Sequence, residues 1–181
     1  MEKYINLNDK LFWLSAAHIV FNPLFWNITA RNEYKRHTLT KIFCGHARAA
    51  VYFLALVIFS IGCARDYLFK VAVDAQPHID LGEQNNFYAF CVGAAFYAVG
   101  IILVLSSTYQ LGIMGTYLGD YFGFLLPAKV TGFPFNITSS PMYDGSTINF
   151  LGHSIMNRSP AGVALTVLVF IVYKVACIFE E

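Results

Sequence analysis

No charged side chain occurs between Glu83 and Asp120. A helix needs only about 20 apolar residues to cross a hydrocarbon core of about 30 Å, so this stretch can span a bilayer and still supply an interfacial piece. Backbone amides in lipid have no water to bond, which leaves helices as the way for such runs to cross. Three other segments follow the same logic, and the hydrophobic runs together cover about 11–30, 48–66, 87–107 and 160–179. The first is uncharged apart from a proton on His18. The second reaches spanning length if Arg48 and Arg65 extend their side chains to the interfaces, and the fourth carries only Lys174, close enough to its end to do the same. Hydrophobic residues make up 57% of the chain and charged residues 13%, about half the usual charged share. The expected fold is therefore all-α: a polytopic membrane bundle of three or four spans, formed as a single integral-membrane domain over 1–181.

The first segment is interrupted by Asn22-Pro23. Proline removes an amide donor and kinks or breaks a helix, so the segment reads either as a kinked span or as a shallow re-entrant piece. It has no small-residue cleavage site of the signal-peptide kind. Arg31, Lys35, Arg36, Lys41 and Arg48 form a basic cluster opposed by Glu33 alone. Basic loops face the cytoplasm. With four spans, the 31–48 loop and the 109–159 segment are then cytosolic, and the 65–86 loop and the C-terminus lie opposite. A re-entrant first segment, or a failure of the charge rule here, can invert the arrangement, so the sequence leaves the orientation open.

A net charge of +1, with no basic patch interleaved with aromatics, argues against a nucleic-acid partner. Cys44, Cys63, Cys91 and Cys177 show no paired spacing; they read as small buried hydrophobes, and no metal site follows. A transporter or scaffold is the main non-enzymatic alternative. Against it stand the scarcity of charge within the runs and the lack of visible internal repeats.

The segment at about 108–159 differs from the runs around it. It is rich in Gly, Tyr, Phe and turn-forming pairs, too broken for one span and too apolar for a solvated loop. Irregular backbone at membrane depth is tolerated where it is buried in protein or lines a cavity, so this is the expected site-forming segment.

Its motifs are specific. GTYLGDYFG (115–123), VTGFPFN (130–136) and SPMYDGST (140–147), with FNPLFWNITAR (21–31) and LVLSS (103–107) upstream, resemble the phosphatidylethanolamine N-methyltransferase family from about Phe21 to Glu181. YKRHTLTK (34–41) and VTGFPFN are most similar to the branch that acts on monomethylated lipid, the phosphatidyl-N-methylethanolamine N-methyltransferases. The resemblance implies S-adenosylmethionine as methyl donor, a membrane phospholipid as acceptor, phosphatidylcholine as the end product, no metal, and an endoplasmic reticulum membrane, with a mitochondrial membrane the other candidate. It also implies donor contacts from a G-x-G motif and a Glu-Glu pair. Here these read Ala98-Val99-Gly100, with alanine in the first glycine's place, and Glu180-Glu181. By themselves, small residues in a membrane helix more often serve packing, and two carboxylates after an apolar run also describe a solvated helix end. Family members continue past the pair into a short tail, so this chain reads as one that stops early.

SPMYDGS resembles a Pro-x-Tyr-x-Gly turn shared with membrane methyltransferases that act on prenylated cysteine, which keeps that acceptor as an alternative. Pro141 would fix φ, Gly145 would permit the turn and Tyr143 would offer a hydroxyl and a ring; Tyr143 and Gly145 are thus expected at the lipid substrate. Methyl transfer to an amine requires the amine to be neutral, so a base is needed. His153, Asp120, Asp144, Tyr143 and the Glu pair are candidates. Tyr117, Tyr121, Phe122 and Tyr143 could face a cationic headgroup, and Lys129 or Arg158 could take its phosphate.

Overall fold

The computed structural model describes residues 4–180, so Glu181 lies outside the described residues. These contain helices and no strand: α1 (Lys10–Arg36), α2 (Thr38–Ile42), α3 (Ala47–Asp74), α4 (Glu83–Thr116), α5 (Pro141–Met156) and α6 (Pro160–Glu180), with a 3-10 turn at Gly119–Phe122. Four of them, α1, α3, α6 and α4 with its extension to Phe122, are long and apolar enough to cross a membrane.

Helix α1 resolves the first alternative. Its 27 residues run unbroken through Pro23, about 40 Å at 1.5 Å per residue, so the segment is no re-entrant piece. The Asp9 carboxylate accepts from the Leu11 amide at 3.0 Å and starts the helix. Asn27 Nδ2 donates to the Pro23 carbonyl at 3.1 Å, adding a bond in the turn beyond the proline. At the other end the chain turns through left-handed His37 (φ 51°) into α2. Glu33, fully buried, accepts there from the Leu39 amide at 2.7 Å and from the Thr40 amide and hydroxyl. Within its basic loop, Glu33 is thus a buried cap for α2.

The long helices alternate in direction. Asn6 pairs with Gln76 beyond the end of α3, the Ile79 amide bonds the Arg158 carbonyl, and these contacts mark one end of the bundle. The 37–46 connection, the 117–140 segment and the end of α6 share the other, where Trp26 bonds Glu180 and Tyr34 packs on Tyr121. The arrangement expected from four spans is corrected here. α5 makes an extra return between α4 and α6, so the C-terminal end of α6 lies with the basic connection and not opposite it.

Much of the 108–159 segment is helical. Helix α4 is broken by a kink at Gly112, in a conformation only glycine adopts readily (φ 63°, ψ −179°), and resumes to Thr116; SPMYDGST opens helix α5 instead of making a tight turn. Pro141 starts α5, where its missing amide costs nothing. The seam with α4 explains the small residues. Gly93 meets Gly152, and Gly100 meets Gly145; a Cβ on Gly93 would lie 2.6 Å from the Gly152 carbonyl, and one on Gly145 2.9 Å from that of Gly100. The seven-residue spacing in each helix is two turns, which aligns both glycines on one face. In lipid, where apolar surface gains nothing by leaving the solvent, such close approach is what joins helices.

The interior joins Ile19 and Trp26 of α1, Phe69 and Val73 of α3, Phe150 of α5, and Leu165, Val169 and Tyr173 of α6. Large apolar side chains such as Phe59, Phe87, Ile102 and Phe170 face outward, as a lipid solvent requires. So do Cys44, Cys63 and Cys91, with Cys177 half-buried, contrary to the expectation that the cysteines are buried. Arg65 does not reach for an interface: α3 continues to Asp74, and the guanidinium donates inward to the Tyr173 hydroxyl. Lys174 binds Asp144 of α5 at 3.0 Å.

Candidate active site at the C-terminal end of α6

The last described residue is the centre of a polar cluster that joins three helices. Glu180 completes α6, but its side chain turns inward. Oε1 accepts from Trp26 Nε1 at 2.9 Å, Asn27 Nδ2 at 3.3 Å and the Tyr143 hydroxyl at 2.6 Å. Among the described residues Oε2 receives only the shared Tyr143 hydroxyl, at 2.8 Å, and so keeps open acceptor capacity. Three helices converge because the up-down order brings the Trp26–Asn27 level of α1 and the last turn of α6 to the first turn of α5.

Aromatic faces surround this carboxylate. The Trp26 and Tyr143 rings stack with centroids 6.3 Å apart, and Tyr143 packs on Tyr173 at 4.9 Å. Arg31 Nη2 bonds the Phe179 carbonyl at 2.8 Å, with its guanidinium 5.2 Å from the Phe179 ring. A cation at the C-terminal end of a helix offsets the exposed carbonyls. Asp120, exposed in the 3-10 turn, is near enough for its charge to act on Glu180.

Of the residues singled out in the sequence, the fold brings Glu180, Tyr143 and Asp120 to one end. Gly100 and Gly145 face each other in the α4–α5 seam, whereas Ala98 and Val99 are exposed on α4. His153 lies ten residues beyond Tyr143 on α5, about 15 Å along the axis, beside Phe69 and Asn157. Lys129 is exposed in the 117–140 segment, and Arg158 sits at the opposite end of the bundle, its carbonyl bonded by Ile79. Tyr121 packs on Tyr34, and Phe122 is buried against α3. Trp26 and Asn27 were not singled out, although they stand within FNPLFWNITAR; nor was Tyr173. Among the described residues no three His, Cys, Asp or Glu side chains gather as a metal site would require.

A multi-pass helical membrane protein with a half-buried carboxylate held among aromatic rings at one end is the class that fold and site define. The family model of phospholipid methyltransferases matches residues 88–181. The chain is 48% identical over 181 residues to the phosphatidyl-N-methylethanolamine N-methyltransferase of Emericella nidulans, covering all of this chain and 87% of that one. It is 47% identical over 177 residues to the Saccharomyces cerevisiae protein of the same name (98% and 84% covered), and 44% identical over 178 residues to the phosphatidylethanolamine N-methyltransferase of Homo sapiens (98% and 88%). No solved structure matches. The chain belongs to the phospholipid methyltransferase family.

Proposed function

We propose that the protein transfers a methyl group from S-adenosylmethionine to the headgroup amine of phosphatidylethanolamine-type lipids, preferring the mono- and dimethyl forms, and so leads to phosphatidylcholine. The observation that carries this reading is the Glu180 carboxylate, drawn from the end of a membrane helix into a ring of hydrogen-bond donors and aromatic faces with one oxygen still open. A carboxylate and ring faces suit a small organic cation, which fits a methyl donor bearing an ammonium and a sulfonium. The names of the Emericella and Saccharomyces relatives support the preferred step.

The donor supplies the reactive methyl; the protein's own residues bind, orient and exclude water. Glu180, with Glu181 next to it in sequence, holds the donor's cationic part. Trp26, Asn27 and Tyr143 fix the carboxylate's direction, and Tyr143 presents its ring to the lipid headgroup. Gly100 is a positioning residue: by letting α5 close on α4 at Gly145, it sets where Tyr143 stands, two residues away. Asp120 takes the proton that the lipid ammonium must lose before its nitrogen can attack. Headgroup chemistry thus proceeds at the bundle's end while acyl chains stay in the bilayer. We assign the protein to the endoplasmic reticulum membrane on the family resemblance alone.

The test is a membrane assay with methyl-labelled S-adenosylmethionine, supplying phosphatidylethanolamine and its mono- and dimethyl forms separately. Label should enter the methylated acceptors fastest. Label in none of the three lipids would overturn the reading.

A further inference from the structure

A second polar feature lies deeper in the bundle. Between α3, α4 and α5 is a cleft of about 310 Å³ whose polar lining includes Arg65, Lys70, Tyr97, Ser146, Asn149 and His153. Tyr173, which meets Arg65, is seven residues from the end of α6 and thirteen from its start, about 10 and 20 Å along the axis. The guanidinium is therefore well inside the bundle. Its side chain is only 11% exposed, and it lies 5.0 Å from the Phe150 ring and 5.7 Å from that of Tyr173.

An arginine at such depth is costly and by default functional. The ordinary explanation, a self-contained ion pair, covers only part of the lining. Asp66 pairs with Arg65 at 2.9 Å but is itself 60% exposed, pointing outward, and it is the lining's single carboxylate. Lys70 has no ion pair among the described residues. Asp74 and Lys70 both act on His153 from α3. What remains is a positively biased slot with apolar helix faces, including exposed Tyr67, Phe96 and Tyr97, around it.

We propose that this cleft takes the phosphodiester of the phospholipid acceptor, with Arg65 its fork-shaped partner and Lys70 its second cation. The assignment rests on the lipid-methylating reading above and adds where the lipid's phosphate sits. Connectivity supports it. The Tyr173 hydroxyl receives Arg65, its ring packs on Tyr143, and the Tyr143 hydroxyl is on Glu180. Two tyrosines thus join the cleft's Arg65 to the Glu180 site, and the two-carbon arm between phosphate and amine can point the amine toward that end of the bundle. Acyl chains would leave sideways between α3 and α4, into lipid. Neither Lys129 nor Arg158, the cations that sequence position suggests for the phosphate, lines this cleft.

The experiment is native mass spectrometry of the full chain released from detergent micelles, with either phosphatidylethanolamine or diacylglycerol of the same acyl chains. The wild type should retain the phospholipid and not the diacylglycerol. Arg65→Lys and Lys70→Gln should each lower phospholipid retention at least fivefold, with S-adenosylmethionine binding kept in both. Lys70 is exposed, so its variant remains informative if Arg65→Lys fails to fold. Equal retention by Lys70→Gln and wild type, or equal retention of diacylglycerol and phospholipid, overturns the proposal. Phospholipid retention lost as expected in the variants, in a protein that labels no lipid, would uphold this site and overturn the methyltransfer reading instead.

Discussion

Tyr143 and Glu180 meet across 37 residues of chain, hydroxyl to carboxylate, at 2.6 and 2.8 Å. The contact locks the first turn of α5 to the last turn of α6, and it converts a helix-terminal acid into an oriented ligand. Tyr143 also stacks on Trp26, another of the carboxylate's partners. A single side chain therefore shapes both the charge and the walls of the site.

Tyr143→Phe keeps the ring and removes the hydroxyl. A hydrogen bond to a charged group contributes about 1.5–3 kcal/mol, so affinity for S-adenosylmethionine should fall roughly tenfold or more (about 1.4 kcal/mol per decade). Because the same bond ties α5 to α6, the melting temperature should fall as well. Equilibrium titration and thermal unfolding in the same detergent check the two halves.

Gly100→Ala and Ala98→Gly separate packing from ligand contact within one triplet. A Cβ at Gly100 meets the Gly145 carbonyl at 2.5 Å, and overpacking of this kind costs about 1–3 kcal/mol. Gly100→Ala should lower the unfolding temperature markedly, while Ala98→Gly, on the exposed side of α4, should cost only the usual helix penalty of about 0.5–1 kcal/mol. Equal effects on stability would remove the seam role from Gly100.

Glu33→Ala takes away the buried cap that orders the turn into α2. The freed amides of Leu39 and Thr40 are part-buried, and an unsatisfied buried donor costs about 1–3 kcal/mol. Thermal unfolding should show a loss in that range, with Glu33→Gln losing less because it retains one acceptor oxygen.

Run lengths alone made the four long helices legible, because the lipid solvent leaves few alternatives to a helix. The return through α5 was hidden. α5 faces α4 through Gly145 and Gly152 and carries Ser, Thr and Asn where a lipid-facing helix carries Leu or Val, so its composition resembles a broken loop. That omission put the C-terminal end of α6 on the opposite side from the basic connection. Charge placement misled in the same way. Arg65 and Lys174 lie where side chains of that length can snorkel, and nothing in their local sequence reveals Tyr173 or Asp144 as partners more than twenty residues away. Glu33, read as the lone opponent of a basic loop, is a cap whose partners lie only six and seven residues on. The motifs that resemble the family singled out Tyr143 and Glu180 separately, without bringing them to one end, and FNPLFWNITAR already contained Trp26 and Asn27. Their part in the cluster follows from α1 running parallel to α6, which single-chain periodicity does not contain.

The central claim, that the carboxylate at the end of α6 holds the methyl donor, is tested most directly by the equilibrium affinity of the folded protein for S-adenosylmethionine before and after Glu180→Gln. The substitution keeps size and one acceptor oxygen while removing the charge. Affinity should fall at least tenfold, about 1.4 kcal/mol, with the helical content unchanged; an affinity equal to that of the wild type would contradict the claim.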